Sequence, residues 1–493
     1  MFYQTKKSLH LLLVAAAIAV VLAFLWHLGV SSISITPGLG GRFAGLTCLI
    51  FGGLRAYKSK AQGDVITKGT KLVTPTVFNR AIKGDGIGIP FLPDSYQWGH
   101  QEPNLLRIRT EDEPTHIMIV GDTGSGKSAL QHSLLQQIRD RQNESVIIYD
   151  PSLEFWKAHG DPENDYLLYP FSEDAPYWDI CDEIANDAVA TALANSFIPD
   201  QIEGRTSFWE SSPRRLLKFL LLELKQQKLS TDDLVKWIAD GELLNEMVEG
   251  TDLEALIDPG ANAQRAGVLA SLSLISDALK LLPPNDGRPK FSFRRWAEER
   301  NGWIFIGTRG VGESAAMRPI VSTFLDTAFN KLLEKEGAKP CWVFIDELAS
   351  LQRLPKIKDA MTRARKYNCR LLLGFQGRSQ MEAIYGKQAE VIMSSTDTRI
   401  FLKTTEYSAS EWIANNIGKP ERQRQVESFT SGLLSNGRDS ISTRTETRAE
   451  HLILPNQIQN LKKLSGYLRY DDYATFFRFT YPQIEKRNSF NKT

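Results

Sequence analysis

Three kinds of hydrophobic pattern follow one another along the 493-residue chain. The first is unbroken apolarity. Residues 9–30 form a run of about 22 whose polar members are His10, His27 and Gly29. At about 1.5 Å rise per residue this is long enough to cross a hydrocarbon core of ~30 Å. A second run, residues 35–57, is interrupted by Arg42 and by glycines, and FAGLTCLIFGGL is its clean stretch. No small-residue cleavage pattern separates the two, so the first reads as a retained span and not as a signal peptide. Lys6 and Lys7 precede the pair, Arg55, Lys58 and Lys60 follow it, and the loop between has no lysine or arginine before Arg42. The positive-inside rule then predicts a two-pass hairpin with both ends in the cytoplasm.

The second pattern is a series of short apolar runs without alternation: HIMIV at 116–120, SVIIYD at 145–150, DYLLYP at 165–170, GWIFIGT at 302–308, CWVFI at 341–345 and LLLGF at 371–375. Such runs predict strands buried on both faces of a parallel sheet. The third is helical periodicity. GKSALQHSLLQQIRDRQ places Leu130, Leu134, Leu135 and Ile138 on one side. Between about 185 and 290 helical signals dominate, with SSPRRLLKFLLLELKQQK opening on serines and a proline near its start, followed by STDDLVKWIADGELLNEMVEG. The predicted class is therefore α/β, with a membrane hairpin at 1–60, a nucleotide-binding domain at 61–184 and 291–493, and an all-α insert at 185–290. A polar stretch, residues 428–448, reads as an exposed hairpin or loop.

Composition narrows this picture only slightly. Lysine plus arginine number 59 against 58 acidic residues, a net of +1, so nucleic acid would have to meet a local basic surface and not a global field. Cys48, Cys181, Cys341 and Cys369 are far apart, and the seven histidines form no H-E-x-x-H. Reduced thiols follow, and the one metal to expect is magnesium carried with a nucleotide.

The chemistry begins where the 116–120 strand ends. Gly121-Asp122-Thr123-Gly124-Ser125-Gly126-Lys127-Ser128 satisfies G-x-x-x-x-G-K-[ST] in the strand–loop–helix setting that the motif requires. The glycines let backbone N–H groups wrap phosphates, and Gly121, Thr123, Gly124, Ser125, Gly126 and Ala129 are expected to contact the nucleotide with Lys127 and Ser128. Lys127 reaches the β and γ phosphates of ATP, and Ser128 holds Mg2+. In CWVFIDELASL, Asp346 ends a strand as the second metal-side group and Glu347 follows as general base. Gln376 closes the 371–375 strand, where a polar amide can sense the γ-phosphate or orient water. Upstream, MTRARKYNC offers Arg363, Arg365 and Lys366, one of which would be presented to a neighbouring subunit's γ-phosphate.

These pieces resemble the type IV coupling proteins of bacterial conjugation, the TraD/TrwB family. The matching stretches, in family order over roughly the whole chain, are the hairpin, GDTGSGKS, YDPSLEF, SFW, NGWIFI, WVFIDEL, RARKY, LLLGFQGRSQMEAIYG and LPNQIQNLKKLSGYLRY. The resemblance implies a RecA-like domain with an all-α domain, a homo-hexameric ring, and a motor at the bacterial inner membrane. That motor would bring relaxase-bound single-stranded DNA to the inner-membrane components of a secretion channel. It also implies that Lys127, Ser128, Asp346, Glu347 and Gln376 form the nucleotide site and that Arg365 is the finger. Two departures accompany it. Leu153 stands in DPSLE where the family often has glycine, and little sequence follows the last sheet strand, so substrate choice would rest on the helical insert. Lys356, Lys358, Arg363, Lys366 and Tyr367 could form a basic, stacking DNA surface. An FtsK-like duplex translocase, a protein-secreting ATPase and a nucleotide-binding scaffold without turnover are the competing readings. Intact Lys127, Asp346 and Glu347 weigh against the scaffold.

Overall fold

A computed structural model of the chain describes residues 65–93, 104–201, 207–430 and 440–484. Both expected membrane spans, and Cys48, lie outside these residues. Among the described residues no helix is long and apolar enough to cross a membrane. The chain divides into two compact units, Met1–Val65 with Gln423–Thr447, and Ile66–Arg422 with Arg448–Thr493. In the smaller, the polar stretch expected as a hairpin or loop contributes to two neighbouring strands, Glu421–Thr430 and Ser440–Ala449.

The larger unit is organised by a ten-stranded sheet. In chain order its strands are β1 (Lys71–Val73), β2 (Ile117–Val120), β3 (Ser145–Asp150), β4 (Tyr166–Leu168), β5 (Ile304–Gly307), β6 (Cys341–Ile345), β7 (Cys369–Phe375), β8 (Thr398–Leu402), β9 (Ser465–Tyr470) and β10 (Tyr473–Arg478). Their spatial order is β1-β10-β9-β8-β2-β7-β6-β3-β5-β4. The strands from β8 to β4 pair in parallel, and β9 joins β8 and β10 antiparallel. The sheet is therefore mixed, parallel at its centre.

The unbroken apolar runs follow from this placement. Successive residues point to opposite faces, and both faces are covered. Met118, Val120, Ile147, Val343, Ile345, Leu371 and Leu373 enter one core, while Ile117, Ile119, Val146, Ile148, Phe344 and Leu372 enter the other. The second core includes Leu130, Leu134, Leu135 and Ile138 of α1 (Lys127–Arg139), the helix that follows the glycine-rich loop. The first core continues without a break into the helical segment.

That segment comprises α2 (Asp187–Phe197), α3 (Phe208–Gln227), α4 (Thr231–Ala239), α5 (Gly241–Val248) and α6 (Asn262–Leu279). The helices pack around Leu216, Leu220, Leu224, Leu234, Val268 and Leu272. They meet the sheet through α7 (Gly310–Leu332). One start differs from the sequence reading. Ser207, not the later serines, caps α3, because the Ser207 N–H donates to Glu210 Oε2 at 2.8 Å and completes a capping box. The stretch after residue 230 is two helices, because the Asp240 carboxylate accepts the N–H groups of Glu242 and Leu243 and caps a new one.

Candidate nucleotide-binding site

The strand order decides which side chains can meet. β7 lies between β2, which feeds the glycine-rich loop, and β6, which ends in the acidic pair. In register, Val120 stands beside Phe375 and Ile345 beside Leu373. The carboxyl ends of three parallel strands thus bring the loop, Asp346–Glu347 and Gln376 to one crevice, the usual ligand position of an open α/β sheet.

Gly124 and Gly126 have φ of +76° and +117°, which favour glycine, and a β-carbon on Gly126 would also lie 2.9 Å from Leu464 Cδ2. Gly121 is pressed between Leu402 and Ser125, whereas a β-carbon on Gly124 would meet nothing within 4 Å. The loop is tight at its base and open at its tip, where Thr123 and Gly124 are exposed. Lys127 is buried, and its Nζ donates to the Gly121 carbonyl at 2.7 Å and the Asp122 carbonyl at 3.4 Å. Ser128 and Ala129 open α1 behind it.

Asp346 is pushed up to about 6, chiefly by burial; Glu154 and Glu347 raise it further, while Lys127 and an amide hydrogen bond from Gln131 hold it down. Glu347 is raised as well, again by burial first. Gln376 Nε2 donates to Glu347 Oε2 at 3.2 Å, and Glu347 Oε1 is buried with no hydrogen-bond partner. Beneath them Asp150, fully buried at the end of β3, is pushed up to about 7 by burial, against the N–H groups of Glu154 and Trp156 that it accepts. Leu153, in the turn between, has φ 57° and ψ 22°. The position that the family often gives to glycine is thus left-handed, and a leucine holds it.

Gln131 was not singled out by sequence reasoning, and Asp150 and Glu154 entered it only as the ends of DPSLE, with no role in the site. Gln131 carried a signal: a buried polar residue four places after Lys127, on the helix face that otherwise presents Leu130, Leu134 and Leu135. Arg365 is not brought to the crevice. It is exposed on the 3-10 turn Ala364–Tyr367, before the amino end of β7, whereas Gln376 follows the carboxyl end. At ~3.3 Å per residue along the strand the two are on the order of 25 Å apart. The proposed DNA surface needs a correction, because Tyr367 is buried, with Arg363 donating to its hydroxyl at 3.4 Å, and cannot stack on a base. Lys358, Arg363 and Lys366 are exposed, and Lys356 pairs with Asp359 at 3.6 Å. Cys181, Cys341 and Cys369 are free and buried.

The residues fit magnesium nucleotide. Among the described residues no group of three or more His, Cys, Asp and Glu could hold a metal alone. Magnesium does not ask for one: it is commonly bound through one or two carboxylates and the substrate's phosphates. Asp346 and the Ser128 hydroxyl would supply the protein side, and the loop N–H groups with Lys127 would supply the phosphate side.

Comparison with known proteins agrees with this reading. Residues 104–482 match the family model of the type IV secretion-system coupling protein DNA-binding domain. The chain is 28% identical over 390 residues to coupling protein TraD of Escherichia coli (strain K12), covering 74% of this chain and 52% of that protein. It thus spans about half the length of the curated relative that it matches. Among solved structures it is similar to the bacterial conjugative coupling protein TrwBΔN70 in complex with sulphate (25% identity, TM-score 0.72, covering 87% of this chain and 98% of that one). It is similar also to plasmid coupling protein TrwB in complex with the non-hydrolysable ATP analogue ADPNP (25% identity, TM-score 0.73, 86% and 96%).

Proposed function

The chain belongs to the type IV secretion-system coupling protein family, and we propose that it is a membrane-anchored ATPase that couples a relaxase–DNA complex to a type IV secretion channel and drives DNA transfer in conjugation. One observation carries the enzymatic part of this reading: the phosphate loop, Asp346, Glu347 and Gln376 share one crevice, with Glu347 held by Gln376 on Oε2 while Oε1 is buried without a hydrogen-bond partner. The ADPNP complex of TrwB supports ATP as the nucleotide.

In the proposed reaction the loop N–H groups and Lys127 hold the β and γ phosphates. Magnesium, when bound, neutralises charge that develops on the phosphates. Gln376 fixes Glu347 through Oε2, which aims Oε1 to take a proton from the attacking water, and burial raises the carboxylate toward the pKa that such a base needs. Arg365, remote from its own crevice, serves the neighbouring subunit of a homo-hexamer. The segment 1–60 anchors the chain in the bacterial inner membrane by two passes, with the bulk in the cytoplasm beside ATP, the relaxase and its single-stranded DNA.

The test is ATP hydrolysis by the full chain in lipid nanodiscs, with and without single-stranded and duplex DNA, beside Lys127→Ala. Turnover that rises with single-stranded DNA and vanishes in the variant supports the reading. Turnover indifferent to DNA favours a protein-moving ATPase, and nucleotide binding without turnover favours a scaffold.

A further inference from the structure

An aspartate inside a loop that cradles phosphates is electrostatically adverse, and Asp122 occupies the second position of this one. Its surroundings account for it. Asp122 Oδ1 accepts the Thr404 hydroxyl at 3.1 Å, and Oδ2 accepts both the N–H and the hydroxyl of Thr405 at 2.8 Å. The Asp122 N–H donates to the Lys403 carbonyl at 2.9 Å. The carboxylate thus grips the chain just beyond β8. The carbonyl of the same residue, with that of Gly121, holds the Lys127 ammonium.

Segment 403–406 touches more than the loop. A β-carbon on Gly377, the residue after Gln376, would lie 3.8 Å from Glu406 Oε2 and 3.4 Å from the β-carbon of Ala409. Gln459 Nε2 donates to the Thr405 carbonyl at 3.1 Å, and Glu406 opens the helix Tyr407–Ile417. Four residues thus hold the phosphate loop, lie close to Gly377, open the helix Tyr407–Ile417 and accept a hydrogen bond from the last residue of the helix Pro455–Gln459.

We propose that Asp122, latched by Thr404 and Thr405, is a positioning residue that keeps Lys127 and the Gln376 turn in mutual register and passes the nucleotide state of the loop to the helix Tyr407–Ile417. The proposal rests on the ATPase reading above. It takes no part in binding directly: the side chain acts through its neighbours' positions, so its loss weakens turnover more than nucleotide affinity.

The test uses the full chain in nanodiscs with Asp122→Ala, Asp122→Asn, Thr405→Val and Thr405→Ser. Each is measured for kcat, for equilibrium affinity toward ADPNP, for thermal midpoint and for amide exchange of residues 403–417 with and without ADPNP. Displacing a catalytic group by about 1 Å costs on the order of 100-fold in rate, so Asp122→Ala should lose about 10- to 100-fold in kcat while affinity changes by less than about threefold. Asp122→Asn, which keeps one acceptor, should fall between. Thr405→Ser should match wild type where Thr405→Val does not. In wild type ADPNP should slow exchange in 403–417, and in Asp122→Ala it should not. A purely structural role would lower the thermal midpoint, affinity and kcat together, and that result overturns the proposal, as does wild-type kcat in a folded Asp122→Ala. A wild-type chain that binds ADPNP without hydrolysing ATP overturns the ATPase reading instead. The exchange measurement then still decides the latch, because protection in 403–417 that ignores either ADPNP or Asp122→Ala refutes it.

Discussion

Leu153 is the sharpest local test of the geometry. It is buried in a left-handed conformation, φ 57° and ψ 22°, with its Cδ2 2.2 Å from where a β-carbon on Gly307 would lie. Truncation removes a packed side chain, which costs about 2–5 kcal/mol for leucine to alanine. The choice between alanine and glycine isolates the backbone. In an ordinary helix or strand alanine is the more stable by about 0.5–1 kcal/mol. Here the left-handed penalty on a β-carbon, about 1–2 kcal/mol, exceeds the ~0.4–1 kcal/mol by which the freer unfolded glycine chain opposes folding. Leu153→Gly should therefore be more stable than Leu153→Ala by up to about 1 kcal/mol, although both fall below wild type. For a chain of this size that is a difference on the order of 2 °C in thermal midpoint, read by differential scanning calorimetry. A midpoint for Leu153→Ala equal to or above that of Leu153→Gly would refute the assigned turn. As an internal control, Gly307→Ala should be tolerated better in the Leu153→Gly background than in wild type.

Gly374→Ala should damage the acidic pair without touching it in sequence, because a β-carbon there would lie 2.0 Å from the Asp346 carbonyl oxygen. Loss of magnesium-dependent nucleotide affinity is the expected result, and unchanged affinity would count against the packing of β7 on β6. Asp150, raised by burial to about 7, binds more protons folded than unfolded between its ordinary value near 4 and 7. Its contribution to stability is thus full below about pH 4 and declines as pH rises through 7, by on the order of 4 kcal/mol in the limit. Denaturation of Asp150→Asn across pH 4–8 should show a weaker fall than wild type, and parallel curves would sink the assignment. Arg365→Ala and Lys127→Ala, each inactive alone, should regain some hydrolysis when subunits are mixed; no regain would remove Arg365 from service in trans.

What the sequence disclosed was local chemistry. A glycine-rich turn between an apolar strand and a helix, and a carboxylate pair closing an apolar run, declare themselves by spacing, as did the glutamine after LLLGF. The position of β7 between β2 and β6 was not legible, because strand order is set by packing and not by periodicity. The partners of the helper residues were hidden for the same reason. Gln131 meets Asp346 across 215 positions and Asp122 meets Thr404 across 282, distances at which no local pattern survives. Tyr367 follows exposed Arg363 and Lys366 in sequence, which suggests a stacking DNA surface, but the 3-10 turn buries its ring. The Leu153 turn went the other way, since a departure from a family glycine pointed directly to a strained backbone.

The most direct measurement is single-turnover hydrolysis by Glu347→Gln beside wild type, with ATP affinity determined on the same preparations. With Glu347 as the general base, ADP formation should fall about 100- to 10,000-fold while affinity stays near wild type. Hydrolysis at the wild-type rate would contradict the account, because the crevice would then be working without the carboxylate that is assigned to take the proton from water.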